Sequence, residues 1–272
     1  MSGAFDIAAY FERVGFSDAP ATTLETLRRL HLLHPAAIPF ENLNPLLGWP
    51  VPLDSASLQE KLIRRRRGGY CYEQNGLFRN ALETLGFDVV GLAARVLWNQ
   101  PDGATLPRTH MLLRVRVSGE DYLVDVGFGG LTLTAPLRLE TGRVQSTPHE
   151  SFRIEDGEGD YILQARLGDD WKSLYRFTLE PQLMPDYEMA NWYVSCHPKS
   201  RFVHSLMAAR AAHDRRYALL DREFTVRRLD GPTERRILET VDDLLEVLAG
   251  PFGVALPAAP ELQAALERII QS

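Results

Sequence analysis

Cysteine is scarce in this chain, and several other signals are missing. Two cysteines among 272 residues are too few for a disulfide framework, so we expect a reducing, cytoplasmic environment. No apolar run reaches the roughly 18 residues that suggest a membrane-spanning helix. The opening MSGAFDIAAYFERVGF has acidic residues early and no basic region before an apolar block, so we expect no signal peptide.

Net positive charge is also absent, since the formal net charge is −6. This balance argues against attraction of the whole protein to nucleic acid. The arginine run at 64–67 keeps a non-enzymatic nucleic-acid-binding protein open as an alternative, although a solvated helix face with Arg67 held inward is the plainer interpretation. The 45% hydrophobic content is enough for a sizeable core, and the length fits one to three subdomains.

Hydrophobic periodicity predicts helices in the first third of the chain. Two of them cover 23–33 and 57–67, and a third follows Cys71 and ends before Gly86. The capping boxes predicted for the first two helices are Thr22 with Glu25 and Ser57 with Glu60.

The rest of the chain is rich in predicted strands. Six apolar segments bounded by turn residues lie at 88–98, 110–117, 122–128, 151–156, 161–167 and 172–179. Consecutive strands without intervening helices indicate an antiparallel sheet or barrel. Beyond them the pattern is mixed, with helices predicted over 185–196, 233–250 and 260–272 and strands over 201–211 and 222–229.

Cys71 is distinctive because it follows Gly68-Gly69 and begins a helical stripe. Unpaired N–H groups and the macrodipole at a helix N-terminus favour a thiolate there. The helix end contributes only about 0.3–1 kcal/mol in a typical exposed case, so an imidazolium partner must supply most of the stabilisation. The glycines allow a sharp turn and close approach of a substrate. The alternative is a small buried hydrophobe, which is our interpretation of Cys196.

Seven histidines are candidates for the partner. His31 and His34 share a helix, but no cysteine or acidic residue with ligand spacing accompanies them. We interpret both as ordinary surface or satisfied residues and expect no metal site. His110 opens an alternating strand, where a polar side chain can reach a cleft. Asp125 lies between two valines, where a carboxylate is costly unless paired, and alternation places it on the face of His110.

The hairpin between these two strands complicates the pairing. A tight turn over 118–121 would place His110 opposite Gly129, about 13 Å from Asp125 along the strand. We therefore expect the side chains to meet only if the hairpin is wider, bulged or strongly twisted. The order Cys71, His110, Asp125 is that of papain-like and transglutaminase-like thiol enzymes, in which the aspartate fixes the histidine tautomer.

The whole chain resembles the arylamine N-acetyltransferase family. The motifs that carry the resemblance are IPFENLN (38–44), RGGYCYE (67–73), RTHMLL (108–113), VDVGFGG (124–130), SLYRFTLEPQ (173–182) and NWYVSCHPKSRF (191–202). The resemblance implies an α+β fold with a papain/transglutaminase-like core. Its expected parts are an N-terminal helical bundle (1–87), a central antiparallel β-barrel (88–195) and a C-terminal α/β lid (196–272).

The same resemblance implies a catalytic triad, and no triad position departs from the family's pattern. The implied triad is Cys71, His110 and Asp125. Acetyl-coenzyme A is the implied cosubstrate, and an arylamine, arylhydrazine or arylhydroxylamine is the acceptor, in a ping-pong mechanism through an acetyl-cysteine without a metal. The implied acceptor walls are Phe40 and Phe128, with core packing as the alternative. The coenzyme A contacts expected from the sequence are Gly127, Gly129 and Phe202, beside Lys199 and Arg201.

One alternative function uses the same triad. A thiol hydrolase or transglutaminase-like enzyme would pass its acyl group to water or to a peptide-bound amine and would not need coenzyme A. The two functions differ in whether an arylamine discharges the acyl group faster than water does. Neither predicts a nucleic-acid or membrane partner.

Overall fold

The N-terminal part of the chain forms helices around a shared apolar core. A computed structural model describes residues 4–101 and 103–271. The helices are α1 (Ile7–Val14), α2 (Leu24–Ala37), α3 (Leu43–Leu46), α4 (Ser55–Leu58) with a π-helical continuation (Gln59–Arg64), and α5 (Cys71–Thr84). Fully buried leucines join their faces, among them Leu27, Leu30, Leu62 and Leu77.

Two predicted helix starts are corrected by the structure. Thr23, not Thr22, caps α2, and Asp54, not Ser57, caps α4. In each case the capping side chain accepts the backbone N–H three residues ahead, which satisfies a donor that the first helical turn leaves free. The predicted end of α5 is confirmed, because Gly86 follows it in the left-handed conformation with φ 82°.

Eight antiparallel strands follow and curl into a nearly closed barrel. In sheet order they are β5 (Leu137–Arg138), β4 (Glu120–Val124), β3 (His110–Val117), β2 (Asp88–Val96), β9 (Asp170–Phe177), β8 (Tyr161–Leu167), β7 (Ser151–Asp156) and β6 (Val144–Ser146). Alternate side chains fill the interior, including Leu92, Phe152, Leu163 and Phe177. The predicted α+β class and antiparallel barrel are confirmed.

A second antiparallel sheet forms most of the C-terminal part. Helix α6 (Met184–Cys196) and a 3₁₀ turn (Arg201–Val203) precede it. Its strand order is β1 (Phe40–Glu41), β10 (Met207–Ala211), β11 (Arg215–Leu220), β12 (Glu223–Arg228) and β13 (Thr233–Ile237). Its apolar core includes residues of α7 (Val241–Ala249) and α8 (Pro260–Gln271). Because β1 comes from the N-terminal helical part, a short segment from early in the chain forms one edge of this sheet.

The helix predicted over 233–250 is wrong in its first half. Residues Thr233–Ile237 form the edge strand β13, paired with β12, and α7 begins only at Val241. Good helix formers in this stretch are overridden because β12 offers a free edge with which they pair. The predicted strand over 201–211 forms only from Met207 onward, and β11 was not predicted.

The remaining predictions concern the ends of the chain and its division into parts. The helix predicted over 260–272 is confirmed as far as Gln271, and Ser272 lies outside the described residues. Residues 1–3 of the predicted first part also lie outside them, and the two boundaries between the three predicted parts stay predictions. Within the described ranges, no helix has the length and apolar character needed to cross a membrane.

Candidate active site

Cys71 is the first residue of α5, and its side chain is buried. The preceding Tyr70 is extended, and the Glu73 carboxylate accepts a hydrogen bond from the Tyr70 amide at 3.1 Å. This contact holds the helix start in place. The Cys71 sulfur lies 3.7 Å from the carbonyl oxygen of Thr109, directly before β3. The predicted position of Cys71 at a helix N-terminus is confirmed.

The two glycines before Cys71 are required by close packing. A Cβ on Gly68 would lie 2.2 Å from the Pro39 carbonyl oxygen, and one on Gly69 would lie 2.7 Å from the Glu73 carboxylate. The Gln74 side chain secures this turn by donating to the carbonyl oxygens of Pro39 at 2.7 Å and Gly69 at 3.1 Å. Gly68 and Gly69 therefore leave room for neighbouring protein atoms. The prediction that they let a substrate approach closely is not what this packing shows.

His110 and Asp125 form a buried pair beside the thiol. His110 Nε2 lies 2.7 Å from Asp125 Oδ2. Burial disfavours the charged imidazole, but the Asp125 charge and hydrogen bond, with a further hydrogen bond to the Cys71 thiol, raise the pKa of His110 to about 10. Burial also works against the Asp125 carboxylate, yet His110 and amide donors hold the pKa of Asp125 below its ordinary value. The pair is therefore ionised at neutral pH.

The way in which His110 and Asp125 meet differs from the prediction. The hairpin turn between β3 and β4 holds only two residues, 118–119, fewer than expected. Ladder pairing ends where Leu113 faces Val124, so Asp125 leaves the sheet instead of extending the strand to residue 128. The expectation of a wider or bulged hairpin was therefore wrong. Strand β4 ends at Val124, so Asp125 is not held at its place in the strand pairing and its carboxylate can reach His110.

Side chains from two helices replace the missing ladder partners after β4. The Asp125 amide donates to His31 Nε2 at 3.2 Å, the Val126 amide to Asn75 Oδ1 at 3.1 Å, and the Gly127 amide to Asp125 Oδ1 at 2.9 Å. Asn75 also donates to Asp125 Oδ1 at 2.9 Å. His31 and Asn75 were not predicted as partners because they lie 94 and 50 residues from Asp125 along the chain.

The two histidines on α2 are buried, so the surface interpretation of His31 and His34 was wrong and the satisfied one holds for His34. His34 Nδ1 lies 2.9 Å from the Tyr10 hydroxyl, and its Nε2 lies 2.8 Å from Gln74 Oε1. Burial lowers the pKa of His31 to about 4 and that of His34 to about 3, so both are neutral at neutral pH.

The loop after Asp125 packs directly against the reactive group. A Cβ on Gly127 would lie 2.8 Å from the Cys71 Cα, so glycine is needed for the loop to lie against the start of α5. Gly129 has a φ of 84°, in the left-handed region that favours glycine. The Phe128 ring meets the His110 ring edge-on, with 5.2 Å between their centres. Direct contact of Gly127 and Gly129 with coenzyme A stays a prediction.

These residues border one cavity of about 680 Å³. Cys71 and His110 line it together with the aromatic rings of Phe40, Phe128 and Phe202. The Phe40 and Phe202 rings contact each other, with 6.3 Å between their centres. The reactive thiol, its histidine and an aromatic wall therefore face a common space large enough for a small-molecule ligand.

The lining of the same cavity carries several cationic side chains, although two of them, Arg216 and Arg227, pair with the Glu150 carboxylate and Arg235 pairs with Glu223. Its cationic residues are Lys199, Arg201, Arg216, Arg227 and Arg235, and none of the described lining residues is a carboxylate. Of these cations, only Lys199 and Arg201 were predicted from the sequence. The other three lie on β11, β12 and β13, and the first and third of these strands were not predicted. Because three of the five cations are already paired with carboxylates, Lys199 and Arg201 carry most of the suitability of this lining for an anionic ligand.

The arginine run at 64–67 is not part of this lining. Arg67 points inward and donates to the Glu41 carboxylate from Nε at 3.0 Å and from Nη2 at 2.8 Å. Arg64, Arg65 and Arg66 are exposed. The run is therefore solvated except for the buried Arg67, as interpreted, but the helix predicted over 57–67 ends at Arg64, so the other arginines lie beyond it.

The chain is similar to known proteins over almost all of the given sequence. A sequence model of the family described as N-acetyltransferase matches residues 23–261. The curated arylamine N-acetyltransferase of Mycolicibacterium smegmatis is 44% identical over 275 residues, covering 99% of this chain and 100% of the relative. The chain belongs to the arylamine N-acetyltransferase family.

Solved structures of arylamine N-acetyltransferases agree with this membership. The M. smegmatis enzyme superposes with a TM-score of 0.95 at 44% identity, covering 99% of this chain and 100% of the other. The Mycobacterium marinum arylamine N-acetyltransferase, solved in complex with CoA, has a TM-score of 0.93 at 43% identity and covers 97% and 99%. The likeness extends over the helices, the barrel and the C-terminal sheet.

Proposed function

We propose that this protein transfers the acetyl group of acetyl-coenzyme A to aromatic amines, hydrazines and hydroxylamines through an acetyl-cysteine at Cys71. The observation that carries the proposal is the alignment of Cys71, His110 and Asp125 at the wall of a cavity lined by aromatic rings and cations. Membership of the arylamine N-acetyltransferase family supports the substrate class.

The first half-reaction starts from the charged pair of Cys71 and His110. The imidazolium, held by Asp125, favours the thiolate beside it. The Cys71 sulfur attacks the thioester carbonyl carbon, and the bond from that carbon to the sulfur of coenzyme A breaks. His110 gives its proton to the departing thiolate, which leaves as coenzyme A with a free thiol.

The second half-reaction restores the starting state. The amine nitrogen attacks the acetyl carbon of the acetyl-cysteine, and neutral His110 accepts the proton that the amine loses. The bond to the Cys71 sulfur breaks and the thiolate returns beside the imidazolium. Asp125 holds His110 Nε2 throughout, so the other nitrogen, Nδ1, faces the thiol and exchanges the proton.

Aromatic amines suit this second step because of their basicity. The conjugate acid of an aromatic amine is much stronger than an alkylammonium, so the amine is neutral and nucleophilic near pH 7. Phe40 and Phe128 are suitably placed on the cavity wall to contact the aromatic ring. The cavity cations are suited to the phosphates of coenzyme A, with Phe202, Gly127 and Gly129 closer to its pantetheine arm.

Intact mass spectrometry tests the proposal. With acetyl-coenzyme A and no acceptor, the protein should gain the mass of one acetyl group, and aniline should remove it far faster than water does. Initial rates with both substrates varied should give parallel double-reciprocal lines. Rapid discharge to water at the rate of normal turnover would indicate the hydrolase alternative, and intersecting lines without an acetyl-enzyme would exclude the role given to Cys71.

A further inference from the structure

His31 is a buried titratable residue that the reaction steps above do not use. It lies on α2, has no exposed surface, and packs edge-on against Phe78 with 5.8 Å between ring centres. Its Nε2 lies 3.2 Å from the Asp125 amide nitrogen. This contact joins a helix early in the chain to the backbone of the triad aspartate.

The contact determines which nitrogen of His31 carries the proton. The Asp125 amide can only donate, so Nε2 must be unprotonated and must accept. The proton of neutral His31 is therefore on Nδ1. A protonated imidazolium would turn Nε2 into a second donor facing the amide, and the contact would be lost. The ionisable groups nearest to His31 are the Asp125 carboxylate and His34 on the same helix.

Packing alone does not explain a histidine at this position. Within the described residues, Nδ1 of His31 is buried without a hydrogen-bond partner. An apolar side chain of similar size would remove this unpaired donor and could still pack against Phe78. It would, however, leave the Asp125 amide without an acceptor at the point where β4 has ended. The histidine is therefore suited to holding that amide.

We infer that His31 is a positioning residue for the triad, and that it acts as a neutral acceptor fixing the Asp125 backbone so that the carboxylate meets His110. This inference rests on the proposed acetyl transfer. Asn75 holds the same loop from α5 by its contacts with the Val126 amide and the Asp125 carboxylate. The two helices thus hold Asp125 from both sides, His31 by its backbone and Asn75 by its side chain.

Nuclear magnetic resonance of the unmodified protein gives the first test. The side-chain nitrogen shifts of His31 should report the neutral tautomer with the proton on Nδ1 at pH 7, and the Asp125 amide should exchange slowly with deuterated solvent. These measurements require no activity and no substitution. A proton on Nε2, or a rapidly exchanging Asp125 amide, would overturn the inference while leaving the proposed acetyl transfer intact.

Two substitutions of His31 give the second test. His31→Leu removes the acceptor at similar size and should slow acetylation of Cys71 by tenfold or more. It should also move the alkaline end of the His110 titration to lower pH, because a displaced Asp125 stabilises the imidazolium less well. His31→Gln keeps an acceptor oxygen and should recover most of the rate and of the His110 titration.

A variant on the same helix separates positioning from stability. Leu27→Ala opens a cavity in the apolar core around α2, and the Leu27 side chain has no polar atom with which to hold the Asp125 amide. It should lower the melting temperature while leaving the His110 titration unchanged. The inference would be contradicted if His31→Leu and His31→Gln acetylated Cys71 at the same rate. It would also be contradicted if His31→Leu left the His110 titration unshifted. If His31→Leu fails to fold, the tautomer and exchange measurements on the unmodified protein decide it.

Discussion

The two cysteines occupy opposite kinds of helix terminus. Cys71 is the first residue of α5, buried, with a charged imidazole beside it. Cys196 is the last residue of α6 and is exposed, so its interpretation as a small buried hydrophobe was wrong. The Ser195 hydroxyl lies 3.3 Å from its sulfur. Positive dipole charge at a helix start favours a thiolate, and negative dipole charge at a helix end opposes it. The reactivity of each thiol is therefore set by its surroundings.

Replacing each cysteine in turn should give the largest contrast. Cys71→Ser should abolish formation of the acetyl-enzyme, because a serine hydroxyl in this setting is a far weaker nucleophile than a thiolate. Cys196→Ser should keep the full rate of acetyl-enzyme formation, because the Cys196 side chain is exposed and is not among the described residues that line the cavity. Intact mass after mixing with acetyl-coenzyme A distinguishes the two variants. An acetyl group that persists in Cys71→Ser and vanishes in Cys196→Ser would reverse the assignment.

Removing the negative charge of Asp125, which pairs with His110, should make Cys71 a poorer nucleophile. Asp125→Asn should lower the rate of acetyl transfer by about 10⁴-fold, because the imidazole loses its orienting carboxylate and its correct tautomer. Asp121→Asn is the matched control, since Asp121 lies on β4, which ends directly before Asp125, and pairs with Arg116 at the surface. Acetyl transfer rates for both variants measure this difference. A nearly active Asp125→Asn would mean that another group orients His110.

Thiol labelling against pH should separate the cysteines further. The raised pKa of His110 keeps its imidazole charged below about pH 10, and the charge disappears as the pH rises through that value. Iodoacetamide should therefore label Cys71 almost as fast at pH 6 as at pH 8. Cys196 lies at a helix end, where the dipole opposes a thiolate, and should be labelled much more slowly than Cys71 at pH 6. Mass mapping of labelled peptides checks this, and parallel slowing of both residues would argue against the ion pair.

The charged lining of the cavity should have the smallest effect on transfer. Arg201→Ala or Arg235→Ala should raise the KM for acetyl-coenzyme A by about fivefold, because exposed ionic contacts contribute modestly. Neither should change the reaction with p-nitrophenyl acetate, which carries no phosphate.

Arg143→Ala is the control for this prediction, since Arg143 is exposed and pairs with Glu140 outside the cavity lining. Steady-state rates with both donors measure the effect. An equal loss with the two donors would show that the arginines support the fold of the C-terminal part instead of binding phosphate.

Predictions from the sequence were correct for elements whose bounds depend on residues close together in the chain. The bounds of β3, the start of α5 at Cys71 and its end before Gly86 follow from side-chain periodicity and from backbone preferences of nearby residues. The candidate triad was also found from sequence, because a cysteine after two glycines and a carboxylate between valines are unusual locally. Its three roles remain predictions that the experiments above test.

Contacts between distant segments determined the rest. The sequence alone established a helix start at Cys71, a strand that opens with His110 and a costly carboxylate at Asp125. Only the tertiary structure decided that β4 ends at Val124, since the acceptors that replace its ladder come from His31 and Asn75 on two helices. Likewise β13 is a strand because β12 offers it an edge. Backbone amides must find acceptors wherever the fold supplies them, and distance along the chain does not reveal which side chain will be there.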